Sequence, residues 1–504
     1  MENLMTLACC PAPTRRGGGW PVLALSLCTA LLAQKPADLD AIAKRAMEQE
    51  RVVGASVLVA RKGEVILQKG YGFADVGLEA PAKAETVYGV VGPMMPFTGV
   101  AIMHLVERGK LSLDDDVSKF IPEFPFQGHH VSVRQLLNHT SGIVDYHYLG
   151  DPIEATSRQP KALDEVMALY ADKRWVHEPG TKWDWSISGF QLLVTILERV
   201  AGQTYEEFVR RNIFNPAGIK STTYCDDSTL VHGLSRAYRR LGEGHVIAHE
   251  DSMAYNTDLR YCSTVGDLYQ TWRAVQDKKL LRPETFRMMT TAGGAAERMS
   301  AQDPKMHYGL ALTLNHEDDH RSIGQHGSLL GFSGAMYEFP ADQLTIVVLT
   351  NTEGQNAYAI SRALARAILG LAEVPRPPAA RPTPAQTDIP LSVTEIGQLT
   401  GTFVLTAGEV PSNLHDSYAQ YRRTYRVFNE NGWLMIEALG LAPERLLKQE
   451  DGSFATRSSA RNRISFVMRA DRAVGMKMTS QGGLPLSGDR VGDGDPRTFH
   501  QQLQ

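Results

Sequence analysis

Tyr88–Asp116 reads YGVVGPMMPFTGVAIMHLVERGKLSLDDD, and the rest of the chain is organised around it. Val100, Ile102, Met103, Leu105 and Val106 give one apolar side at helical spacing. The pattern predicts a helix over Gly99–Gly109, with Gly109 as its C-terminal cap. Residues three apart on a helix are neighbours on one face. Gly92 and Met95 stand at that spacing just ahead of the helix. Gly92 offers no side chain, and the Met95 thioether cannot take a proton at neutral pH.

The stretch resembles the start of the main helix in serine beta-lactamases and penicillin-binding proteins, the class C-like serine hydrolases. There the pattern is approximately F-x-x-x-S-x-x-K-x-[FL]-T, an apolar helix, then G-K-L-x-L-D-D-x-V. Phe97-Thr98 and Gly109–Asp115 match in register. That register puts Gly92 at the nucleophilic Ser and Met95 at the Lys that would activate or hold it. The resemblance therefore implies the fold while removing the usual acyl-enzyme chemistry.

Further blocks follow in the family's order. Val131–Gly142, VSVRQLLNHTSG, is similar to a run that shapes the wall of the cleft, and His139 is read as a structural histidine. Glu178–Thr222 carries Pro179-Gly180, Ser186, Gly189, Gly202, Tyr205 and Pro216 in register. The family's Tyr-Ser-Asn triplet has become Trp185-Ser186-Ile187. An indole N–H only donates, and Ile neither donates nor accepts. Tyr261–Leu268, YCSTVGDL, keeps Ser263, Thr264 and Asp267, but Leu259-Arg260 replace two glycines before it. In Gly324–Asn351 the spacing to Gly331-Phe332 aligns Gln325-His326-Gly327 with the Lys-Thr-Gly or His-x-Gly motif. Gln325 then takes the place of the cation. A one-residue slip would give that place to His326 and break the glycine register. Leu344–Leu349 reads as a buried central strand. His316–His320 reads as a solvated loop and not a metal cluster.

Ahead of the organising stretch, Leu39–Arg51 reads as an amphipathic helix. Gly54–Asp75 reads as two strands joined by a turn at Arg61–Glu64. Six prolines make Val374–Pro390 a linker. Beyond it, short β-like runs at Gly401–Thr406, Gln420–Phe428, Trp433–Glu437, Arg445–Gln449 and Arg463–Met468 predict a small antiparallel sheet or barrel.

At the N-terminus, Arg15-Arg16 and the apolar run Trp20–Ala33 read as a signal peptide cleaved near Ala33, with an uncleaved membrane anchor as the alternative. This makes the chain secreted or periplasmic. Cys225 and Cys262 are the cysteines left after the leader; two buried free thiols are favoured over a disulfide. Net charge is −4, which offers no electrostatic case for nucleic acid or an anionic membrane surface.

The expected organisation is a signal peptide (1–34), a beta-lactamase-like domain (35–372), a Pro-rich linker (373–391), a small β-domain (392–478) and a disordered tail (479–504). The fold class is α+β: an antiparallel sheet flanked by helices, a helical subdomain, and an appended all-β domain. The motif-equivalent positions are Gly92, Met95, Trp185, Ser186, Ile187, Gln325, His326 and Gly327, with no intact catalytic set, no cofactor and no metal. The expected function is a non-catalytic pseudoenzyme that binds a peptide, cell-wall fragment or protein partner in an apolar cleft. The alternative is an active hydrolase of esterase, D-amino-acid peptidase or beta-lactamase type, its nucleophile moved to Ser186 or Ser188 near His326.

Overall fold

The structure is a computed structural model. It describes residues 38–90, 92–150, 162–225, 230–241, 244–247, 261–299, 303–329, 331–374, 387–408, 420–438, 443–456, 459–480 and 484–493. The expected leader, Leu259-Arg260 and most of the expected proline-rich linker lie outside these residues.

In chain order, the strands before the linker are β1 (Gly54–Arg61), β2 (Glu64–Asp75), β3 (Ala80–Pro81), β4 (Tyr88–Val90), β5 (Thr223–Tyr224), β6 (Tyr238–Leu241), β7 (Gly244–Ile247) and β8 (Tyr261–Ser263), followed by β9 (His307–Tyr308), β10 (Thr313–Glu317), β11 (His320–Leu329), β12 (Phe332–Phe339) and β13 (Leu344–Thr350). Six helices position the site: α1 (Leu39–Glu50), α2 (Met95–Glu107), α3 (Val133–Leu137), α4 (Ile187–Ala201), α5 (Val265–Gln276) and α6 (Asn356–Leu369). The predicted hairpin is β1–β2, and the predicted main helix is α2, which begins four residues earlier than its apolar stripe suggested.

One eight-stranded antiparallel sheet runs in the order β3-β2-β1-β13-β12-β11-β10-β9. Strands alternate their side chains between two faces. Leu58, Ile323, Met336, Val347 and Leu349 point into a core shared with α2, α4 and α5. Val57, Val59, Tyr337, Ile346 and Val348 point into a second core against α1 and α6. The central strand β13 is buried along its whole length, as its continuous apolar run predicts.

The β10–β11 turn departs from a solvated loop. Glu317 is buried and held by Arg362 and Arg366 of α6, and Arg366 also holds Asp318 at 3.1 Å. A buried carboxylate needs such partners. The free-thiol expectation is also corrected. Cys225 and Cys262 form a disulfide that ties the end of β5 to β8, within the small sheet β4-β8-β5.

After the linker come β14 (Gly401–Ala407), β15 (Arg422–Glu430), β16 (Trp433–Ala438), β17 (Glu444–Lys448), β18 (Phe454–Thr456), β19 (Ser459–Arg469), β20 (Arg472–Ser480) and β21 (Leu486–Gly492). They form a closed eight-stranded barrel around its own apolar core. The expected boundary at 478 is therefore wrong. β21 lies in the stretch taken as tail, and it pairs with both β20 and β14 to close the barrel. A last strand with an otherwise open edge on each side has a place to pair even when its own sequence, LSGDRVG, is polar.

The barrel side meets the first domain through the Gln420 side-chain amide and one backbone hydrogen bond. Gln420 accepts from the Arg174 N–H at 3.0 Å and donates to its carbonyl at 2.6 Å, and the Arg422 N–H donates to the Leu149 carbonyl at 3.2 Å.

Candidate functional site

β4 leads into a turn at Gly92, and α2 begins at Met95. Gly92 has φ +84°, a conformation open to glycine and strained for a residue with a Cβ. The Met95 N–H donates to the Gly92 carbonyl at 2.9 Å, which closes the turn. A Cβ on Gly92 would overlap the peptide bond between His326 and Gly327, only 2.5 Å from the Gly327 nitrogen. The main chain of β11 thus occupies the place where a side chain at position 92 would begin. Met95 is fully buried in the helical core.

Strand β11 sends Gln325 and His326 to opposite faces of the sheet. Gln325 pairs with Met336 and shares its face, toward α2 and α4. His326 pairs with Ala335 and shares the opposite face, under α6. There the His326 Nδ1 lies 2.6 Å from the Tyr337 hydroxyl, and its ring stacks on Tyr358 at 4.2 Å. Burial pushes the imidazole down to about 4, because the cation would lose its hydration. His326 is a neutral structural group on the far side of the sheet.

Gln325 is also buried, and its amide is used. It accepts from the Thr313 hydroxyl at 3.2 Å and donates to the Tyr308 hydroxyl at 2.8 Å. Tyr308 in turn lies 3.2 Å from Nε2 of His139, and Nδ1 of His139 accepts from the Ser186 N–H at 3.2 Å. This pattern requires the His139 proton on Nε2. The His139 carbonyl accepts from the Asp184 N–H at 2.9 Å, and its ring is stacked between Trp185 at 4.3 Å and Phe190 at 5.1 Å. His139 itself has φ +57°. A strained backbone at a fully buried hub is held by its surroundings.

Ser186, Ile187 and Ser188 hang from the same framework. Ser186 caps α4, its hydroxyl accepting from the Gly189 N–H at 3.3 Å. The Ser188 hydroxyl accepts from the Tyr146 N–H at 3.0 Å. The Ile187 N–H donates to Asp145 at 3.1 Å, and Asp145 also accepts from the His147 N–H at 2.9 Å. Burial pulls the Asp145 carboxyl upward, but the bonds from His147 and Ile187 outweigh it and leave the group below its ordinary range. Neither serine contacts His326, so the structure does not assemble the alternative catalytic set.

The structure brings Gly92, Gln325, Gly327, Trp185 and Ser186 to one side of the sheet and sends His326 to the other. Sequence reading missed Asp145 and the hub role of Tyr308. Asp145 follows three residues after the recognisable His-Thr-Ser-Gly run, with nothing in that position to reveal its burial. The chemical inventory is donors, acceptors and rings that satisfy one another. The Ser186 and Ser188 hydroxyls accept backbone N–H groups, and the Tyr308 hydroxyl meets the protonated Nε2 of His139.

The family model "Beta-lactamase" matches residues 39–371, well over half of the chain. Protein flp of Staphylococcus aureus (strain MRSA252) is 26% identical over 321 residues, covering 63% of this chain and 63% of that protein. The chain thus spans a little under two thirds of that relative's length. A penicillin-binding protein of Bacillus subtilis (strain 168) is 26% identical over 344 residues, covering 64% of this chain and 74% of that one. Among solved structures, the octameric penicillin-binding protein homologue from Pyrococcus abyssi has TM-score 0.56 at 22% identity, covering 89% of this chain and 99% of that one. A D-stereospecific amidohydrolase from Streptomyces sp. has TM-score 0.57 at 21% identity, covering 66% of this chain and 99% of that one.

Proposed function

This chain belongs to the beta-lactamase family, and we propose that it is a secreted, non-catalytic member that binds a ligand without acylation. The observation that carries this reading is the seat of Gly92. Its missing side chain is not an empty place awaiting a nucleophile, because the His326–Gly327 peptide fills it. Met95 supports the same reading, since a thioether buried in the core replaces the cation at the neighbouring helical position. Gln325 is spent on Tyr308 and Thr313.

The ligand class is a peptide, a cell-wall fragment or a peptide segment of a protein partner. Its support is the family's chemistry and the rings near the old site, where Trp185 is partly exposed with one face on His139. Secretion is supported by the leader-like N-terminus and by the Cys225–Cys262 disulfide, a bond that persists in oxidising compartments.

Intact-mass measurement after incubation with a fluorescent penicillin and with a fluorophosphonate tests the reading. The expected result is no added mass in a folded sample. A covalent adduct would overturn it, and peptide mapping would name the nucleophile.

A further inference from the structure

The main sheet has an open edge. β3 pairs with β2 only at Phe73 and Asp75, and the Ala82–Lys83 backbone packs against Gly70. Among the described residues, no strand pairs with the outer edge of Glu64–Lys69. Val65 and Ile66 in this segment are 46% and 48% exposed. An unpaired edge with exposed aliphatics is a template for another strand.

The segment is complementary to itself. Its first and last residues are Glu64 and Lys69. In a regular strand two residues five apart point to opposite faces and could not meet across a two-fold axis. A bulge removes that obstacle. β1 and β2 shift register between Val59 and Ala60, which leaves Ile66 as an extra residue on β2. Glu64 pairs with Arg61 and Lys69 with Val57, so both lie on the α1 face. Val65 pairs with Ala60 and Gln68 with Leu58, so both lie on the α5 face.

We propose that two copies of this chain pair their β2 edges antiparallel about a two-fold axis between Ile66 and Leu67, joining the two sheets into one. Glu64 then faces the partner's Lys69 on the α1 side, twice by symmetry. Val65 faces the partner's Gln68 on the α5 side, and Ile66 meets the partner's Leu67 at the axis. Glu64 and Lys69 share one face and Val65 and Gln68 share the other, as antiparallel pairing demands. Glu64 has no cation partner among the described residues. Lys69 holds Asp40 at 2.6 Å, and an ammonium with three donors can hold a second carboxylate.

Light scattering or sedimentation across protein concentration tests the dimer and its register, using the full chain without its leader. Wild type is expected to dimerise reversibly. Glu64→Lys and Lys69→Glu each oppose like charges at two places and are expected to weaken the dimer about tenfold. The double variant Glu64→Lys/Lys69→Glu restores it, and Ile66→Lys abolishes it. All three positions are at the surface, and far-ultraviolet circular dichroism verifies folding. A wild type that stays monomeric overturns the proposal. So does a dimer indifferent to these changes, or a double variant no tighter than the single ones.

Discussion

Nε2 of His139 lies 3.2 Å from the hydroxyl of Tyr308, and this contact joins the loop before α4 to the β9–β11 edge of the sheet. Through it, Gln325 on one side and Ser186 on the other belong to one hydrogen-bonded chain. Tyr308→Phe removes the hydroxyl and leaves buried donors of Gln325 and His139 unsatisfied, at a cost of about 1–3 kcal/mol. His139→Ala also empties the ring stack on Trp185 and Phe190 and should cost more, on the order of 3–5 kcal/mol. Urea unfolding of both variants measures this. A cost below that of an ordinary surface substitution for His139→Ala would refute the hub.

Position 92 should not accept a side chain. Gly92→Ser imposes a Cβ at φ +84° and drives it into the His326–Gly327 peptide. The backbone conformation alone costs roughly 1–2 kcal/mol, and the overlap adds to it. Gly92→Ser/Met95→Lys is expected to be destabilised and to hydrolyse a chromogenic cephalosporin no faster than buffer does. Turnover by the double variant would mean that β11 yields to a side chain at position 92.

His326 predicts a pH dependence. Its folded-state value, about 4, lies below the ordinary histidine value. The unfolded chain then binds the proton more readily, so stability is fully present above about pH 6.5 and falls as pH drops toward 4. The slope in that window is about 1.4 kcal/mol per pH unit from this group. His326→Phe, which keeps a ring against Tyr358, should flatten it. Denaturant midpoints at pH 7, 6 and 5 for wild type and variant give the comparison, and parallel profiles would exclude His326 as the source.

The disulfide closes a loop with a sequence separation of 37 residues. In the chain-entropy picture such a cross-link is worth about 4 kcal/mol. Reductant should lower the melting temperature of wild type and leave a Cys225→Ala/Cys262→Ala variant unmoved. Thiol titration of the unfolded, unreduced chain from residue 38 onward should find no free cysteine.

The periodic elements are legible in the amino-acid sequence alone. The apolar stripe of α2, the β1–β2 hairpin, the continuous run of β13 and five of the barrel strands are local patterns, each legible within a dozen residues. Gly92, Met95, Trp185, Ile187 and Gln325 stand out against the resembled motifs because the matching residues on both sides set the register in which they are compared. Tertiary structure decided the rest. Face assignment separates Gln325 from His326, and it depends on how β11 pairs with β12. The polar strand β21 exists because β14 and β20 offer it two edges. Cys225 and Cys262 meet because β5 and β8 pair. Asp145 is buried because α4 brings the Ile187 N–H to it. These are contacts between residues far apart in sequence, and their energies come from partners that no local window contains.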